Sequence, residues 1–298
     1  MLSTLNLAKF NSGSAQPSLN RNFLYPIETR VPPLAEQTSI ARILSRYDDL
    51  IENNTRRIAI LEEMARRIFE EWFVHFRAPG CEGLAMVDSP LGPIPQGWEV
   101  RRLGEVARVN PEQIGPRNTP TAIRYIDIAS VAPGSINAIT EMPFDLAPNR
   151  ARRIVRHGDT IWSCVRPNRR SFALVLDPLA DTIASTGFAV LRPSGLPWPY
   201  LYVATTTQVF TDYLTNHATG SASPAVKADD FEKAQLLVPS PAVITSFGNA
   251  TEAMFLLIHV LQQQNRNLRA QRDLLLPKLI SGEIDVSASA AQFPEAAE

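Results

Sequence analysis

The chain has 298 residues, 45% apolar and 20% charged, with a formal net charge of −1. That is the composition of an ordinary globular protein, and its near-neutral charge excludes a molecule that is basic all over. Its two cysteines, Cys81 and Cys164, lack CxxC or His-partner spacing, which excludes a disulfide framework and a zinc site. The longest apolar run, Met254 to Leu261, is broken by His259 and falls short of the roughly 18 residues that span a bilayer. The first residues, MLSTLNLAKFNSG, lack the pattern of a signal peptide, so a cytoplasmic protein is expected.

The chain opens on one half of a repeat. Asn11–Leu24 (NSGSAQPSLNRNFL) lies over Ala218–Phe231 (ATGSASPAVKADDF) at an offset of 207 residues, and Val31-Pro32 lies over Val238-Pro239 at the same offset. Self-similarity at a fixed large offset means two copies of one architectural unit. Gly, Ser and Pro recur at matching places in GSAQPSL and GSASPAV, which suits a structural turn.

Each copy is followed by a helical pattern. After PPLAEQ, apolar spacings of three and four run through Ile40, Leu44, Tyr47, Ile51, Asn54, Ile58, Leu61, Ala65, Ile68 and Trp72. This is a heptad seam about 33 residues long, near 50 Å of helix. After VPSP, with Ser240 as N-cap and Pro241 at the first helical position, the same offset predicts a second seam. It runs Phe247, Thr251, Met254, Ile258, Leu261, Asn265, Leu268, Arg272, Leu275 and Leu279. Each seam carries one central asparagine. If Asn54 faces Asn265 in an antiparallel pair, the other layers become Ile40/Leu279, Leu44/Leu275, Tyr47/Arg272, Ile51/Leu268, Ile58/Leu261, Leu61/Ile258, Ala65/Met254, Ile68/Thr251 and Trp72/Phe247. Arg272 would then stand near the Tyr47 ring, and the asparagine pair would set the register at some cost in stability.

Between the helices lies a Pro- and Gly-rich connector, residues 81–96, and then a β-leaning stretch. WEVRRLGEVARV, AIRYIDIASV, GDTIWSCV, SFALVLD and FAVLRP read as strands, LYVATTTQVFTDYL as helix, and AQLLVPS as a last strand. The expected fold is α+β, with one globular domain over residues 97–240 bracketed by two long helices that form an antiparallel coiled coil. The helical segments span 32–80 and 241–282, residues 1–31 carry the end of an earlier unit, and 283–298 form a flexible tail.

The domain's charge is concentrated. Between Arg101 and Arg170 there are twelve arginines, six acids and no lysine. Arginine without lysine suits bidentate recognition of phosphate or guanine. Arg166, Asn168, Arg169 and Arg170, in the VRPNRR run, combine the side chains that pair with guanine and adenine, and are the first candidates for a DNA face. Arg150, Arg152, Arg153 and Arg156 are the second. Ser221, Ser223 and Lys227 are the third, as phosphate ligands; a plain turn competes with that reading, since Lys227 matches Asn20 in the first copy. Catalytic motifs are lacking. NPEQ at Asn110–Gln113 lacks the second proline and aromatic of an amino-methyltransferase motif, and no P-loop occurs. His157, Asp159 and Ser163 read as turn and strand residues rather than a hydrolase triad, and Trp72 and Trp98 as core.

The series PPLAEQ…DDLIENN…EEMAR…EWFV…FR resembles the central conserved region of specificity (S) subunits of type I restriction-modification enzymes. GPIPQGWEVRRLGEVA resembles the opening of a target-recognition domain, GSASPAVKADDFEKAQLLVPSP its close, and LRAQRDLLLPKLISGEIDV the distal conserved region. The resemblance covers about Val31 to Val286. It implies a subunit without catalysis or cofactor that reads one half of a split double-stranded DNA target. It also implies helices that dock the adenine-methylating modification subunits, with motor-nuclease subunits joining the complex. By the offset, a first recognition domain would start about 109 residues before Met1, so the resemblance points to a half form with one complete recognition domain. Such a form would pair with a copy of itself or a second half subunit. The competing expectation is a scaffold or remnant that binds or competes for modification subunits without reading DNA.

Overall fold

The computed structural model describes residues 21–23, 25, 31–115 and 118–286. The first copy of the repeat turn, GSAQPSL, lies outside them. The fold divides into two compact units, Met1–Arg57 with Leu261–Glu298, and Ile58–Val260.

Two long helices carry the seams: α1, Leu34–Phe69, and α6, Pro241–Ser281. Every predicted seam position is buried or half-buried, because one face of each helix is apolar and must leave water. The α6 helix is long and apolar enough to cross a membrane by length and composition alone. Its residues Phe247, Thr251, Phe255 and Ile258 are instead buried in the second unit. After α1 the chain makes one π-helical turn, Glu70–Val74, which buries Phe73.

In the first unit Ile40, Leu279 and Val286 form a buried cluster edged by Leu44, Leu275 and Ile284. Val286 and Ile284 fall in the segment that the sequence assigns to a flexible tail. Arg272 does not settle on Tyr47. Its guanidinium pairs with Asp48 at 2.5 Å and Asp273 at 3.0 Å, since a carboxylate outbids a ring face for an exposed cation.

The second unit holds the strands. In chain order they are β1 (Met86–Val87), β2 (Ile94–Pro95), β3 (Glu99–Arg102), β4 (Ala107–Val109), β5 (Ala122–Ile126), β6 (Val131–Ala132) and β7 (Ser135–Ile136). There follow β8 (Thr140–Pro143), β9 (Ala151–Ile154), β10 (Asp159–Ser163), β11 (Phe172–Val175), β12 (Thr182–Ser185), β13 (Phe188–Pro193) and β14 (Gln235–Val238). They build two four-stranded sheets, in the orders β11-β10-β13-β4 and β8-β5-β12-β9. The first is antiparallel; in the second only β12 and β5 run parallel. A separate pair closes the domain: β14 lies antiparallel on β3, with Gln235 opposite Arg102 and Val238 opposite Glu99. The two ends of the globular domain are thus tied by backbone hydrogen bonds.

WEVRRLGEVARV is not one strand. A helical turn, α2 (Leu103–Val106), interrupts it, so that Leu103 and Val106 both bury. The predicted helix around 201–214 is two, α3 (Trp198–Thr206) and α4 (Gln208–His217), broken at Thr207, whose hydroxyl caps α4 by accepting from Phe210 N–H at 3.2 Å. One more short helix, α5 (Ala228–Lys233), precedes β14.

The core of this unit is aromatic. Phe247 of α6 is fully buried among Phe69, Trp72, Phe73 and Tyr200, with ring centroids 5.1–6.0 Å apart in tilted or edge-on contacts. Trp98 is buried against Phe73. Trp98 is a core residue, and Trp72 packs half-buried against the same cluster.

Candidate nucleic-acid interface

The three groups of candidate residues lie on neighbouring strands and loops joined by backbone hydrogen bonds. From β9, Arg150 O accepts from Thr186 N–H at 2.7 Å, just past β12. Next to it, Gly187 O accepts from Cys164 N–H at 2.8 Å. Cys164 O accepts from Val226 N–H at 2.9 Å, and Arg166 N–H donates to Pro224 O at 2.7 Å. The arginine strand, the VRPNRR turn and the GSASPAV loop are therefore one continuous edge.

The turn itself is held in an uncommon backbone. Pro167–Arg169 form a single 3-10 turn, flanked by Arg166 (φ 51°) and Arg170 (φ 56°), both left-handed. Non-glycine residues in that region cost energy and cluster at functional sites. Arg170 is a strut: its Nη1 donates to Gln208 Oε1 at 3.0 Å, its Nη2 to Thr206 O at 2.9 Å, and its guanidinium lies over the Phe172 ring. Arg166 Nη2 donates to Ala222 O at 3.1 Å and locks the turn to the loop. Asn168 and Arg169 are exposed and have no side-chain partner among the described residues.

The loop is a hairpin tip. Thr219 and Ala225 exchange two backbone hydrogen bonds of 2.9 Å, and Gly220 turns the chain at φ 103°. A Cβ on Gly220 would stand 3.3 Å from Ser223 O, so this position requires glycine. Ser221, Ser223 and Lys227 are exposed at or beside the tip. Asp230 Oδ2 caps the following helix by accepting from Lys227 N–H at 2.7 Å, which leaves the ammonium clear.

The second group of arginines separates by partner. Arg150 donates to Tyr125 Oη at 3.1 Å and to Asp127 at 2.7 Å. Arg156 makes a bidentate pair with Glu112, at 2.9 and 2.7 Å. Arg152 lies over the Phe144 ring, 5.0 Å from its centroid, and donates to Ala151 O. Arg153 is half-buried with no hydrogen bond at Nε. Sequence reasoning missed Arg192 of β13, which grips the fully buried Asp159 with two 2.8 Å hydrogen bonds and also bonds Glu112. The hydrogen bonds of Arg156 and Arg192 hold the Glu112 carboxyl below the usual carboxylate range. Burial pushes Asp159 upward against the pull of Arg192. The cue for Arg192 was weak: one arginine at the end of an apolar strand, without any neighbouring acid in the chain.

No hydrolase triad assembles. His157 pairs with Asp177 at 2.8 Å, Asp159 with Arg192, and Ser163 Oγ donates to Val165 O. In the first unit, Asn54 Nδ2 donates to Asn265 Oδ1 at 3.0 Å, and Asn265 Nδ2 donates to Thr55 Oγ1 at 3.3 Å; both asparagines are buried.

The structure thus combines two long helices and a mixed α/β domain that exposes Asn168, Arg169 and Lys227 along one edge. Known proteins are similar to it. Residues 1–63 match the type I restriction modification DNA specificity domain. The type I restriction enzyme MjaIX specificity subunit of Methanocaldococcus jannaschii is 26% identical over 285 residues, 94% of this chain and 66% of the relative. The HindI specificity subunit of Haemophilus influenzae is 22% identical over 340 residues, 93% of this chain and 73% of the relative. A solved type I restriction-modification S subunit from M. genitalium shares the fold, with a TM-score of 0.51 at 16% identity, over 91% of this chain and 68% of that one. Over most of its length the chain is similar to type I restriction-modification specificity subunits. It spans about two thirds of the length of the M. jannaschii relative.

Proposed function

We propose that this chain is the DNA-recognition subunit of a type I restriction-modification complex. In this reading residues 97–240 form a target-recognition domain that reads one half-site of a split duplex target. The two long helices pair as an antiparallel coiled coil and dock modification subunits, which carry the methylation chemistry. Cleavage belongs to a motor-nuclease subunit of the same complex, and the subunit works in the cytoplasm. A second copy of this chain or a separate half subunit reads the other half-site.

The observation that carries this reading is the edge formed by the VRPNRR turn and the GSASPAV loop. It presents Asn168, Arg169, Ser221, Ser223 and Lys227 to solvent on a strained, fully braced backbone. Phosphate contacts position such a domain and base contacts specify its site. The coiled-coil part is supported by the Asn54–Asn265 hydrogen bond, which falls on the predicted layer.

The test is co-production with the cognate modification subunit, light scattering on the complex, and mapping of methylated adenines in host DNA. The expected outcome is a complex that contains modification subunits and one defined methylated motif. A stable complex with no methylated motif would overturn DNA reading in favour of the scaffold. The complex mass reports whether one or two copies of the chain are present.

A further inference from the structure

Five arginines of the recognition domain end on carboxylates: Arg101 on Glu99, Arg124 on Glu141 and Asp181, Arg150 on Asp127, Arg156 on Glu112, and Arg192 on Asp159 and Glu112. Arg153 does not. It stands on β9 opposite Ala184 of β12, with Arg152 and Ile154 beside it in the strand. Its Nε is shielded from solvent and makes no hydrogen bond, and no carboxylate pairs with it among the described residues. The titratable group that acts on it is the Cys164 thiol, which burial pushes up to about 11, so that it stays neutral.

A half-buried guanidinium with a shielded, unpaired donor costs free energy in the free protein. Packing gains nothing from it that a methionine would not supply. No outside group can reach the sealed Nε, but Nη1 and Nη2 are not sealed and make no hydrogen bond among the described residues, so an outside acceptor can meet them; the β9 edge adjoins the turn and loop described above through Thr186, Gly187 and Cys164. Exposed cations such as Arg169 and Lys227 suit phosphates, which need charge more than angle. A half-buried guanidinium that springs from a paired strand has less freedom, which suits a bidentate contact to a base edge.

We propose that Arg153 is a specificity-determining residue that selects a guanine in the half-site through its guanidinium fork. This rests on the reading of the domain as a DNA reader. The test compares wild type, Arg153→Lys, Arg153→Met and the control Arg124→Met, each as full chain in complex with the modification subunit, by sequencing methylated adenines across host DNA. Lysine keeps the charge and loses the fork, and it protects the test if Arg153→Met fails to fold. The expected result is a wild-type motif with one guanine whose preference falls about 10-fold or more in Arg153→Lys and Arg153→Met. Arg124→Met keeps the motif. A wild-type motif that both Arg153 variants retain, whether at full or uniformly lower methylation, overturns the guanine assignment and leaves DNA reading intact. A wild-type complex with no motif overturns both.

Discussion

The helical seam and the arginine-bearing edge handle polarity in opposite ways. Asn54 and Asn265 are buried, and each finds its partner on the other helix at a position that two periodic patterns predict. Along the arginine-bearing edge, arginines of equal standing in the sequence meet different fates. Arg150 and Arg156 are neutralised by acids 23 and 44 residues away, Arg170 becomes a strut, and Arg153 and Arg169 are left without an acid. The contrast teaches that periodicity settles where a helix buries its residues. The availability of a charge depends on which distant carboxylate the fold brings near it.

The comparison can be broken at several points. Phe247→Ala should be the most damaging, since it empties the centre of the aromatic cluster; about 3–5 kcal/mol of unfolding free energy should be lost in a urea titration. Next comes Arg192→Met. It strands Asp159, whose side chain is fully buried, and should cost about 3 kcal/mol. A loss below about 1 kcal/mol would show that Asp159 takes up a proton at no cost.

Asn54→Leu should cost about 1–3 kcal/mol because it leaves Asn265 buried with an unmet acceptor. The double variant Asn54→Leu, Asn265→Leu should regain most of that loss and loosen the helix register, read by cysteine crosslinking at Ile40 and Leu279. Unchanged crosslinking would remove the register role from the pair.

Glu112→Gln should cost about 1 kcal/mol at neutral pH, given its partly exposed bonds to Arg156 and Arg192. The wild-type carboxyl is held below its ordinary value of 4.5, so its stabilisation is present above that value and fades as pH falls through the folded-state value. The gap between wild type and variant should therefore close in acid. Arg169→Ala should change stability least, within about 0.5 kcal/mol, while lowering the salt dependence of DNA binding by about one phosphate contact. A large stability loss there would mean that Arg169 braces the fold.

Much of the architecture was legible beforehand. Pro241 begins α6, β14 is the AQLLVPS strand, and every seam position lies away from solvent. The strands β1, β2, β7, β8, β9 and β12 were missed. They are short, and ARRI in β9 reads as a basic cluster before it reads as a strand, because two arginines mask its alternation. Of the site, the VRPNRR turn and the GSASPAV loop were picked out separately. Their docking through Arg166 and Ala222 was not, since those residues are 56 apart in the chain.

By itself, the sequence determined the two seams, their central asparagines, the closing strand and the glycine of the loop, because periodicity, capping and turn chemistry act over a few residues. Only the tertiary structure decided which arginines pair with carboxylates and which stay without one. Charge pairing acts through space between strands far apart in the chain, and no local pattern records it.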